Sequence, residues 1–141
     1  MEIDGYYSLD TTNNSPISHI LVEGSSINQL SISNASVRST NKEIQNNSVL
    51  LETTNDCIVN YLQFNRIITE GLASVISNSS GNLNVINASN IIHINADGQY
   101  PFFLNNDKNE VKSLTISNFY GSGFINGGAS RILSKKGDAF Y

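Results

Sequence analysis

Four short stretches of this chain repeat one pattern: apolar, polar, apolar, polar, then a residue suited to a turn or a surface. They are Leu30-Ser31-Ile32-Ser33-Asn34, Leu62-Gln63-Phe64-Asn65-Arg66, Ile86-Asn87-Ala88-Ser89-Asn90 and Leu114-Thr115-Ile116-Ser117-Asn118. Alternation with a period of two marks a half-buried strand. The starts, at 30, 62, 86 and 114, are separated by 32, 24 and 28 residues. Strands that recur at this interval, with no helix-length periodic segment between them, point to a solenoid.

A second segment repeats out of phase with the first. Its copies are Ile20-Leu21-Val22-Glu23, Val49-Leu50-Leu51-Glu52, Ser74-Val75-Ile76-Ser77, Phe102-Phe103-Leu104-Asn105 and Arg131-Ile132-Leu133-Ser134. Their third residues, 22, 51, 76, 104 and 133, step by 29, 25, 28 and 29. Each coil then holds three short strands. The Val-Leu-Leu-Glu type comes first, followed by a turn such as Asn55-Asp56, Ser79-Ser80-Gly81 or Lys135-Lys136-Gly137. The Leu-Thr-Ile-Ser type is second, and a third strand follows at once, as at Ile67-Ile68-Thr69 or Ile92-His93-Ile94. Variable loops lead back to the first type. The expected fold is all-β: three parallel sheets around a tube, about four coils of 24–32 residues, with rungs about 4.8 Å apart. A βαβ sheet fails for want of helices. A sandwich accounts for the turn spacing but not for the register between coils.

Composition tests this reading. The chain has 21 Asn and 20 Ser, a polar content that also suits disorder. Its 17 Ile, spaced into alternating runs, argue for ordered strands instead. Only 14% of residues are charged and the net charge is −4, which excludes the basic footprint of a nucleic-acid binder. No apolar run is long enough for a membrane span, so no membrane insertion is expected. Residues 1–16 read as a polar lead-in and 17–141 as the solenoid. The lead-in has no apolar core of a signal peptide, so export would take another route, such as release with a virion. Cys57 is the single cysteine and reads as a small buried hydrophobe.

The pattern over residues 17–138 resembles the right-handed parallel β-helix of the pectin-lyase-like superfamily, which includes many bacteriophage tailspikes. The carrying residues are Leu30/Ile32/Asn34, Leu62/Phe64, Ile86/Ala88/Asn90 and Leu114/Ile116/Asn118. That family often stacks Asn at the turn after the second strand. The resemblance therefore implies an amide ladder through Asn34, Asn90 and Asn118, satisfying turn groups inside the tube and broken by Arg66. A solenoid needs its terminal apolar layers covered, and no capping helix is evident. The chain is then a piece of a longer protein or is capped by association.

Parity along the first-type strands selects candidate surfaces. With Val22, Leu51, Ile76, Leu104 and Leu133 inward, their neighbours Leu21, Leu50, Val75, Phe103 and Ile132 must face outward. Such an apolar stripe needs cover, from a loop, a partner or a ligand. Tailspike-like solenoids are parallel homotrimers, so the resemblance implies a homotrimer through this stripe. Glu23 and Glu52 fall in one outward column on adjacent coils, an arrangement that acid/base glycoside chemistry uses. They are the candidate catalytic pair, against the plainer reading of two solvated side chains. Tyr100 and Tyr120 near the loops could stack on sugar rings, and Asp56 and Asp97 on turns and loops are further binding candidates. His93, between Ile92 and Ile94, is expected to face out. No spacing suggests a metal site, and no cofactor is expected.

The resemblance thus implies a virion-tail or extracellular module that binds a bacterial surface polysaccharide, on its own or within a longer depolymerase. Two alternatives stand beside it: a monomeric pectin-lyase-like enzyme and a structural shaft. Function is expected in the variable loops and on the outward face of the first-type strands, not on the Leu-Thr-Ile-Ser strands.

Overall fold

The computed structural model describes residues 1–10, 18–39, 48–94, 102–106, 110–121, 123–126 and 135–137. Its strands are β1 (Glu2–Asp4), β2 (Tyr7–Asp10), β3 (Ser18–Glu23), β4 (Ser26–Ser39), β5 (Val49–Thr54), β6 (Ile58–Glu70), β7 (Ser74–Asn78), β8 (Asn82–Ile94), β9 (Phe102–Asn106), β10 (Ser113–Tyr120), β11 (Gly123–Asn126) and β12 (Lys135–Gly137). The described residues contain no helix. Every strand pair is parallel. Odd-numbered short strands stack in the order β11-β9-β7-β5-β3, and the long strands stack as β4-β6-β8-β10 with β1 and β2 at one end and β12 at the other. The result is a β-solenoid of about 3 turns, so the expected four coils count partial turns at the ends.

Among the described residues two hydrogen-bonded sheets, not three, make the wall. The expected second and third strands are one continuous strand bent at a corner. Asn34, Arg66, Asn90 and Asn118 form that corner, with φ of 51°, 57°, 57° and 51°. A single left-handed residue turns the chain and lets pairing resume on either side. It also resets the alternation. Ile32 and Ala35 both face the core, as do Phe64 and Ile67, and Ala88 and Ile91. Asn28, Asn60 and Asn84 mark a similar break earlier in the strands, where the ladder skips a pair. Each long strand therefore has a second face before the corner and a third face after it. The short strands form the first face.

The opening motif is in the expected register. Leu30, Leu62, Ile86 and Leu114 pair in one column, and Ile32, Phe64, Ala88 and Ile116 in the next, all buried. Each fully buried Leu, Ile or Phe contributes roughly 1.5–3 kcal/mol, so these columns supply much of the drive to close the tube. The first face differs from expectation at both ends. Ile20, not Val22, pairs with Leu51, and Ile125 takes the place beside Leu104 that was expected for Leu133. At β3 the slip is two residues, which keeps every side chain on its own face, so hydropathy alone does not distinguish the registers; Leu133 lies outside the described residues. Lys135-Lys136-Gly137, expected as a turn, is strand β12 beside Leu114-Thr115-Ile116.

Both parities are buried where the short strands begin. Leu50, Val75 and Phe103 are fully enclosed, as are Leu51, Ile76 and Leu104, all in one core cluster. The Phe103 ring lies edge-on to Phe64 and to Phe119, each at 6.1 Å. A short strand entering from a corner is enclosed from two sides, and alternation ceases to report exposure there. Further along, Thr53, Asn78 and Asn106 face inward and are buried. The Thr53 hydroxyl donates to Asn78 Oδ1 at 2.8 Å, and Asn78 Nδ2 donates to Asn106 Oδ1 at 2.8 Å. This ladder is the amide column inside the tube. The expected one, at Asn34, Asn90 and Asn118, is exposed on the outer corner.

Candidate functional site

The carboxylates proposed as an acid/base pair are not stacked. Glu52 pairs with Leu21 and Glu23 with Thr54, an offset of two residues that sets their Cα atoms roughly 8 Å apart. Each has its own partner: the Asn55 amide donates to Glu23, and the Ser18 hydroxyl donates to Glu52. Asp56 is exposed beside Asn55, both with positive φ, in a turn closed by Cys57 N–H on the Thr54 carbonyl at 3.2 Å. Tyr120 is 69% exposed on the third face. Tyr100 and Asp97 lie outside the described residues, as does Ile132 of the proposed stripe. Of that stripe only Leu21 is exposed, at 51%; Leu50, Val75 and Phe103 are sealed within the chain and offer no surface to a partner.

His93 also differs from expectation. The corner at Asn90 shifts parity, so Ile92 and Ile94 face out and His93 is buried, with Nδ1 2.6 Å from the Thr69 hydroxyl. Cys57 is buried, and burial, helped by the Asp56 charge, pushes its thiol pKa up. It is a packing residue. Among the described residues no cluster of three or more His, Cys, Asp or Glu could hold a metal ion. No helix among them is long and apolar enough to cross a membrane.

The outward positions of the second face are polar at almost every rung. One column runs Glu2, Ser31, Gln63, Asn87, Thr115, Lys136, and the next runs Asp4, Ser33, Asn65, Ser89, Ser117. Side-chain bonds brace the second column. Ser89 and Asn90 donate to Asn65 Oδ1 at 3.1 and 3.0 Å, and Asn118 Nδ2 donates to Asn90 Oδ1 at 2.6 Å. At the lower end Asn34 and Ser33 donate to Asp4 Oδ1 at 2.7 and 2.9 Å, which holds the Asp4 carboxyl below the ordinary carboxylate range. Between the columns lies a groove of about 310 Å³ lined by Glu2, Ser31, Ile32, Ser33, Gln63 and Asn65. Another cavity, of about 270 Å³, opens under the first coil and is mainly apolar, with Ile20, Leu21, Val22, Ile27 and Leu30 among its lining.

The groove sits on the outward side chains of the motif strands, where the sequence offers no reason to look. Its polar residues belong to the regular repeat, and only the stacking of rungs turns them into a surface. The third face carries the opposite chemistry. Tyr7, Ser36, Ile68, Ile92 and Tyr120 form its first outward column. The two tyrosines and two isoleucines are 37–75% exposed. Comparison of the chain with protein-family models, with curated proteins and with solved structures finds no match.

Proposed function

We propose that this chain is an attachment module that holds a bacterial surface polysaccharide along its second face. The observation that carries the reading is the groove at Glu2, Ser31, Ser33, Gln63 and Asn65, set in two columns of hydroxyls and amides. A glycan presents many hydroxyls, each both donor and acceptor. Ser, Asn and Gln side chains offer the same dual capacity, so they can replace the water that a sugar loses on binding. Rungs about 4.8 Å apart repeat that set along the axis, which suits a polymer over a single small molecule. Net charge −4 and the carboxylates of Glu2 and Asp4 favour a neutral or amino-bearing polysaccharide over a polyanion.

Affinity electrophoresis against a panel of capsular and O-antigen polysaccharides tests the reading. Retardation by at least one glycan, weakened about tenfold or more in Gln63→Leu, is the expected result. A panel with no binder, or binding indifferent to Gln63→Leu and Ser31→Leu, would leave a structural shaft. The same incubation scores cleavage. New reducing ends, lost in Glu52→Gln, would move the reading from attachment to depolymerisation.

A further inference from the structure

We propose that the third face is a self-association surface, and that two copies pair on it with their solenoid axes antiparallel. The argument rests on the order of charges up one column. Leu9, Arg38, Glu70 and Ile94 occupy successive rungs at the same outward position. All four reach solvent: Leu9 is 50% and Ile94 41% exposed, and the Arg38 and Glu70 side chains are 57% and 33% exposed. Read in either direction, the column is apolar, charged, charged, apolar, with the two charges of opposite sign.

A twofold axis lying in the face, parallel to the strands and between β4 and β6, reverses the order of rungs. It sets Arg38 of one copy against Glu70 of the other, and Glu70 against Arg38. It also sets Leu9 on Ile94 at both ends. In the neighbouring column the same axis places Tyr7 on Ile92 and Ser36 on Ile68. Every charge then meets its opposite and most apolar side chains meet apolar ones, which is the self-complementarity an isologous interface requires. A parallel arrangement, dimeric or trimeric, keeps rungs level. It would bring Arg38 towards Arg38 and Glu70 towards Glu70, a like-charge juxtaposition that opposes association. Within one chain Arg38 Nε already contacts Glu70 at 3.1 Å, so association forms a four-membered network of alternating charge.

The face is small. Four rungs by about five residues cover roughly 300 Å² on each copy, well below the ~800 Å² of a standard interface. The expected dimer is therefore weak, and the measurement must extend to high protein concentration. Sedimentation equilibrium from ~10 µM to ~1 mM should show a monomer–dimer equilibrium. Arg38→Glu or Glu70→Arg alone should weaken it about tenfold or more, and Arg38→Glu/Glu70→Arg together should restore it. Orientation is read with a short bis-maleimide, because facing sheets lie about 10 Å apart, beyond the reach of a disulfide. Leu9→Cys/Ile94→Cys should give a crosslinked dimer. Leu9→Cys alone lies level with its mate in a parallel arrangement and three rungs from it in the antiparallel one, and should not crosslink. A monomer throughout, a trimer, or crosslinking through Leu9→Cys alone would each overturn the proposal. Circular dichroism of each variant separates loss of pairing from loss of fold.

Discussion

Arg66 holds a left-handed corner that its three counterparts fill with Asn. Asn enters this region readily because its short amide can bond locally, whereas a long unbranched side chain gains nothing from it. Arg66→Asn should therefore raise stability by about 0.5–1 kcal/mol, read as a higher denaturation midpoint with an unchanged slope. A fall would mean that the guanidinium makes a contact that matters more than the backbone. Asp4 presents a second case at this scale. Its pKa is lowered chiefly by the Asn34 bond, then by Ser33. A group depressed in the folded state adds stability that is present above its unfolded value, near 3.8, and is lost as pH falls through the lower folded value. The lowest rung should thus loosen in acid below about pH 4. The protection factor of the Gly5 amide, whose N–H bonds the Ser33 carbonyl, should fall there in the natural chain and stay level in Asp4→Asn.

The inner ladder is the feature to test at the level of strands. Asn78 accepts from Thr53 and from Gly81 N–H, and donates to Asn106 and to the Gly81 carbonyl. Truncation strands several of these groups in the core. Asn78→Ala should cost about 3–4 kcal/mol in denaturant unfolding, and a loss below about 1 kcal/mol would mean that water takes over the bonds. A Cβ on Gly81 would sit 2.7 Å from Asn78 Oδ1 and 2.9 Å from Cys57 Sγ, which explains why the turn above this ladder needs glycine. The strands and the motif register were legible in the sequence because alternation at Leu30, Leu62, Ile86 and Leu114 reports burial directly. The faces beyond the corners were not. One left-handed residue at Asn90 inverts the parity that would have placed His93, and a two-residue slip at β3 leaves hydropathy unchanged while separating Glu23 from Glu52. The candidate groove was hidden for another reason: Ser31, Gln63 and Asn65 are unremarkable singly and become a surface only when stacked.

Across the whole molecule each strand touches chiefly its neighbours above and below. β6 has eleven registered pairs with β4 and eleven with β8, whereas β12 has three with β10. Stability in such an array is close to a sum over rungs and interfaces, so protection should fall towards the ends. Native-state hydrogen exchange should be slowest in β6 and β8 and fastest in β1, β2 and β12. Equal protection throughout would instead mark a single cooperative unit. One consequence concerns force. Hydrogen bonds between rungs run along the solenoid axis, so tension applied between β1 and β12 pulls them end-on and puts every interface, in series, under the full load, the weakest yielding first. The chain should then peel coil by coil at low force, whereas a sideways load on one face is shared by every strand that crosses it. As an attachment module the solenoid would be compliant along its length and stiff across it, which gives the direction of pull a mechanical meaning.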